Sequence, residues 1–96
     1  MFVILLRFST HKAKAGKFVE RHNSWLRDGF AKGVFLLSGS IHPKAGGAVL
    51  AHNATSEQIQ AIVNEDPFVA EDVVTAEIVE ISGSKSIPEL DFLVSR

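Results

Sequence analysis

The first apolar run, Phe2-Val3-Ile4-Leu5-Leu6-Arg7-Phe8, has the length and the β-branched and aromatic content of a strand. Its apolar residues occupy odd and even positions alike, so the pattern predicts burial on both faces of a sheet. Ser9 and Thr10 follow as candidate helix N-caps. Across residues 13–31, Ala15, Phe18, Val19, Trp25, Leu26 and Phe30 recur at helical spacing, and Gly33 stands where a terminating glycine belongs. Residues 34–41 predict a second strand, interrupted at Gly39. Residues 42–47 have turn composition, and residues 48–52 read as the returning strand of a hairpin.

Asn53 and Thr55 are alternative caps for a second helix that opens at Ser56-Glu57 and runs through Ile59, Ile62 and Val63. Asn64-Glu65-Asp66-Pro67-Phe68 breaks it, because a residue before proline avoids the helical region. Pro67 suits the first position of a new turn, so residues 68–72 predict a short helical piece. Residues 73–81 form the last strand, residues 82–86 a flexible exit, and residues 87–96 an apolar tail. The division is one domain over residues 1–83 and a tail over 84–96, packed on its own subunit or on a neighbour.

The order strand, helix, strand, strand, helix, strand is the split βαβ pattern. It predicts an α+β fold of ferredoxin-like βαββαβ topology, a four-stranded antiparallel sheet with two helices on one face. Two helices cover only that face, and the other would carry half of a greasy leading strand. Such a patch is unusual on a monomer, so the parity argument predicts a homodimer paired sheet to sheet around a cavity. The competing reading is a monomer with the tail folded across the open face.

With 96 residues the chain holds one domain, and its 10 Lys plus Arg against 11 Asp plus Glu give a net charge of -1. That balance argues against a nucleic-acid partner. The cluster Lys12, Lys14, Lys17 and Arg21 lacks a stacking platform and reads as a solvated helix face. There is no cysteine, which removes disulfides and thiolate metal sites. The apolar run at Met1–Leu6 is too short to span a membrane and no basic region precedes it. A soluble cytoplasmic protein with no membrane partner is the expectation.

His22 shares a helix face with Phe18, Trp25 and Leu26, so it is either a satisfied core histidine or a general acid/base. Asp66 is either the cap of the turn that starts at Pro67 or the acceptor for the Nδ1 proton of His22. Helices side by side on the sheet would let the two meet, and a His–Asp pair beside a cavity is the minimum equipment for proton transfer. Ser38 offers a hydroxyl to a substrate oxygen or a solvated group at a bulge, and Gly39 permits close approach of a ligand. Arg7 is an anion-binding group or an edge-protecting charge. His11, His42 and His52 do not make a ligand set, so neither metal nor cofactor is expected.

Several of these residues, in this order, resemble the YciI-like (YCII-related) family over about the first eighty residues. They are the Phe2–Leu6 strand, His22 with Trp25-Leu26, Leu37-Ser38-Gly39, Gly46-Gly47 and Asp66-Pro67-Phe68. The resemblance implies a dimeric α+β barrel with an active site on His22 and Asp66 and with Ser38 lining the same pocket. Apart from it, Gly39, Arg7 and Trp25 are further candidates to touch a substrate. Many members carry proline after the Ser-Gly pair, whereas this chain has Ser40, so the rim differs. Related barrels include dehydrochlorinase-like lyases, isomerases and monooxygenases acting on small, often aromatic, compounds. Two functions are therefore expected in competition. One is a cofactor-free lyase, dehydrochlorinase or isomerase working on a small cyclic or carbonyl compound. The other is a non-catalytic dimer that binds or senses a small-molecule ligand.

Overall fold

The computed structural model describes residues 1–95. Four strands, β1 (Phe2–Phe8), β2 (Phe35–Ile41), β3 (Gly46–Ala51) and β4 (Val74–Glu80), form one antiparallel sheet in the order β2-β3-β1-β4. Helix α1 (Ala15–Ala31) connects β1 to β2. Helix α2 (Ser56–Asn64) and the single turn α3 (Pro67–Ala70) connect β3 to β4. The topology is ferredoxin-like, with the helices on one face.

Alternation along β1 sorts the two faces. Phe2, Ile4 and Leu6 are buried beneath the helices, and their partners Ala51 and Val49 on β3 lie in the same core. Val3 and Leu5 point to the other side, with Leu50, Ile41, Leu37 and Val79. Among the described residues no element covers that second face as the helices cover the first, and Leu37 stays 60% exposed. The C-terminal segment packs at one end of the sheet, beside Met1, Ile81 and His52. Gly83 pairs with Val94, the Ser95 amide donates to the Gly83 carbonyl, and Phe92 lies edge-on to His52 at 5.5 Å. The segment folds back on itself at the end of the sheet where Met1 and Ile81 are bonded.

Helix α1 ends as its sequence predicts. The Gly33 amide bonds the Phe30 carbonyl, the Val34 amide bonds the Gly29 carbonyl, and Gly33 takes φ +73, which is the Schellman arrangement. Its start differs from expectation. Neither Ser9 nor Thr10 caps it; the Ser9 and His11 amides instead bond the carbonyls of Val73 and Asp72, and a 3-10 turn at Lys12–Lys14 leads into the helix. Gly29 faces the Phe35 ring so closely that a Cβ would overlap it, which fixes α1 against the beginning of β2. For α2 the cap is Thr55, in a capping box with Gln58.

One strand breaks simple alternation. Phe35 pairs with Ala51, but Leu37 pairs with Leu50 and Ser38 with Val49, so the ladder slips at Leu36. The irregularity expected at Gly39 lies three residues earlier, and the strand runs through Gly39 unbroken. A bulge of this kind reverses the facing of everything after it. Without it Ser38 and Ser40 would lie opposite in sense to Phe35. With it, they share the helix-side face with Phe35, Val49 and Gly47.

Candidate active site

Helical spacing sets Phe18, His22, Trp25 and Gly29 in one inward stripe of α1. Phe18, Trp25 and Gly29 are buried, and His22 sits at the stripe's edge with its side chain 15% exposed. On the facing element, Asp66 ends the α2 connection and precedes Pro67, which holds it in an extended conformation at φ -64, ψ 121. Its carboxylate is fully buried, and Oδ1 accepts two hydrogen bonds. One comes from His22 Nδ1 at 2.8 Å and one from the Phe68 amide at 3.0 Å. The capping role and the pairing role are thus carried by the same oxygen.

The second oxygen, Oδ2, is buried with no hydrogen-bond partner among the described residues. An ionised carboxylate in that position depends on its Oδ1 donors to offset lost hydration. Being buried, the carboxylate reaches only the His22 imidazole and the Phe68 amide.

Two aromatic contacts fix the ring. Phe68 stacks on His22 with centroids 4.0 Å apart and planes 7° from parallel, and Trp25 lies 5.7 Å away at 28°. Trp25 is itself held edge-on to Phe35 at 5.0 Å, and its indole N–H donates to the Ile62 carbonyl at 2.8 Å. The imidazole therefore has one nitrogen engaged by a carboxylate and one face covered by Phe68. With Nδ1 donating, Nε2 carries the lone pair. Such a ring can take a proton at Nε2 and return it.

The other residues singled out from sequence divide between the two sides of the sheet. Ser38 lies on the helix side and is exposed. Trp25 belongs to the His22 cluster, yet its one polar group is spent on the Ile62 carbonyl. Arg7 and Gly39 lie on the opposite face. Arg7 bonds Glu77 at 2.7 Å across β1 and β4, and a Cβ at Gly39 would meet nothing within 4 Å, so no close approach requires glycine there. The pair sits between helices and sheet, on the far side from any space enclosed by two sheets. Ser38 thus shares the helix side with His22, as the family resemblance implies, and the strand parities place Arg7 on the other side.

Phe68 as the stacking surface for His22 was not singled out. Its signal was its position two residues after Asp66, where the amide that the carboxylate caps and the ring that supports the imidazole come from one residue. Among the described residues no group of three His, Asp or Glu side chains gathers as a metal ligand set. Lys12, in the 3-10 turn before α1, lies over Phe8 at 4.8 Å, and Arg21 of α1 lies over Phe18 at 5.0 Å. No helix among the described residues is long and apolar enough to cross a membrane.

A family model, the YCII-related domain, matches residues 1–82. The chain belongs to the YCII-related family. Among solved structures, this YCII-related chain is similar to 5-chloro-2-hydroxyhydroquinone dehydrochlorinase from Burkholderia phenoliruptrix, solved in complex with 2,5-dihydroxybenzoquinone. The two share 11% sequence identity with a TM-score of 0.69, over 88% of this chain and 96% of the other. At that identity the likeness establishes the common fold. No curated protein matches the YCII-related sequence.

Proposed function

We propose that this chain is an acid–base enzyme of lyase or isomerase type, in which His22 Nε2 moves a proton on a small cyclic or carbonyl compound and Asp66 positions the ring. The observation that carries this reading is the 2.8 Å bond from His22 Nδ1 to a carboxylate that is fully buried, while the imidazole itself keeps an exposed edge. A histidine wanted only for packing needs no buried charge beneath it. The chemistry needs proton transfer alone: in a dehydrochlorination, Nε2 accepts the substrate proton and the electron pair left behind expels chloride. The fold shared with a dehydrochlorinase supports this class of reaction without naming the substrate.

Under this reading two chains pair through the face that carries Val3, Leu5, Leu37, Ile41, Leu50 and Val79. Its support is the apolar character of that face and the exposure of Leu37 and Val79 on it. Each subunit would then keep its own His22 site on the outer, helix-covered side. A cytoplasmic location fits the same picture.

The test is a panel of hydroxyhydroquinones, with and without chlorine, followed by absorbance and by chloride release. Wild type should turn over at least one member. His22→Gln, which retains a donor toward Asp66 but removes the ring base, should lower kcat by roughly 10²–10⁴-fold with the fold intact. Saturable binding of panel members with no turnover by wild type would favour a ligand-binding or sensing protein instead.

A further inference from the structure

The bulge at Leu36 gives β2 a second use. Helix α1 covers only the beginning of this strand, where Trp25 and Phe30 contact Phe35 edge-on and Gly29 meets its ring. Toward its N-terminus α1 leans on α3 instead, through His22, Phe68 and Asp66. The second half of β2 is therefore left uncovered on the helix side. Phe35 is buried there, whereas Ser38 and Ser40 are both exposed.

The flanks of α1 say what faces this gap. Arg21, Ser24 and Asp28 border Glu65 and Pro67 along an open groove of about 310 Å³, so that flank faces α2 and α3. The opposite flank carries Ala15, Val19 and Leu26, spaced four, seven and eleven residues along one helical stripe that includes His22. Val19 is exposed although apolar. Ser38 and Ser40 thus stand exposed on the face of the sheet over which α1 carries His22. Among the described residues neither hydroxyl has a partner. Ser40 stands opposite Gly47, which has no side chain to fill the space beside it.

We infer that Ser40 acts with Ser38 as a pair of hydrogen-bonding groups that selects the substrate, binding a small ring that carries oxygens on opposite edges. The inference rests on the His22 site being a substrate pocket. Two residues apart on one strand face, the hydroxyls are separated by about 7 Å, comparable with the span across a six-membered ring bearing para oxygens. A compound with one oxygen satisfies Ser38 or Ser40 but not both. Without the slip at Leu36, both serines would face the other side of the sheet.

The experiment titrates wild type, Ser40→Ala, Ser38→Ala and Ser40→Thr with 2,5-dihydroxybenzoquinone and with phenol, reading the His22 ring resonances by NMR and Kd by calorimetry. Wild type should bind the quinone with movement of the His22 resonances. Each alanine variant should weaken it by about 3- to 10-fold, the loss of one hydrogen bond, while changing phenol by less than about twofold. Ser40→Thr, which restores a hydroxyl and suits a strand, should keep wild-type affinity. If the quinone binds and moves His22 but Ser40→Ala leaves its Kd unchanged, or weakens both compounds alike, the role of Ser40 is overturned and the pocket stands. If neither compound moves the His22 resonances, the pocket itself is overturned, and this inference with it.

Discussion

Replacing Asp66 by alanine separates the parts played by one buried carboxylate. Its Oδ1 satisfies the Phe68 amide and the His22 imidazole. Leaving the buried Phe68 N–H unpaired costs about 1–3 kcal/mol, and losing a bond to a charged acceptor costs about 1.5–3 kcal/mol. Against this, the unpartnered Oδ2 is removed too, which returns about 1–2 kcal/mol of desolvation. The expected net loss for Asp66→Ala is about 2–4 kcal/mol. Asp66→Asn should cost less, about 1–2 kcal/mol, because an amide oxygen can still accept both bonds and only its NH2 group lacks a partner. The assay is urea unfolding followed by fluorescence of Trp25, the chain's one tryptophan, which is buried and bonded to Ile62. With m near 1–3 kcal/mol per M, the alanine midpoint should fall by about 1–3 M at unchanged m. An alanine variant within about 0.5 kcal/mol of wild type, or an asparagine variant as damaged as alanine, would refute the claim that these two bonds hold the corner.

Gly29→Ala reverses a general rule. Alanine ordinarily stabilises a helix by about 1 kcal/mol over glycine, but its Cβ here would enter the Phe35 ring, so denaturation should show a loss of about 1–3 kcal/mol. Trp25→Phe should destabilise by about 1–2 kcal/mol, since the Ile62 carbonyl loses its indole donor, again read by chemical denaturation. Val79→Asp places a charge on the uncovered sheet face; sedimentation velocity at micromolar concentration should show a dimer for wild type and a monomer for the variant. A wild-type monomer would remove the sheet-to-sheet pairing while leaving the His22 site in place.

Much of this architecture could be read from residue pattern, for physical reasons that differ by element. In β1 every residue but Arg7 is apolar, so two apolar sheet faces could be read from it, but not that Phe2, Ile4 and Leu6 rather than Val3 and Leu5 lie beneath the helices. The end of α1 was legible because Gly33 is the residue that tolerates the left-handed turn there. The start of α1 was not, because Ser9 and His11 spend their amides on Val73 and Asp72, far away in sequence. Tertiary hydrogen bonds there prevail over a local capping preference.

In the candidate site, His22 and Asp66 could be nominated because a polar residue within an apolar stripe and an acid before proline both stand out. Their bond depends on helix placement, which the split βαβ order supplies. The bulge was invisible for the opposite reason. Leu36 and Leu37 are both apolar, so a slip of one residue between them carries no signal in the hydrophobic pattern. That slip decides which face Ser38, Gly39 and Ser40 take, and so which of them can share a pocket with His22.

The central claim is that Asp66 holds the His22 ring with Nδ1 protonated, leaving Nε2 as the lone-pair nitrogen available to a substrate. Long-range 1H–15N correlation on the ring, recorded near pH 8 where an ordinary imidazole is neutral, reads this directly. The account predicts a protonated Nδ1 and a pyridine-type Nε2 in wild type, with a different pattern in Asp66→Ala. A wild-type ring with the proton on Nε2, or one averaging as a free imidazole does, would contradict it.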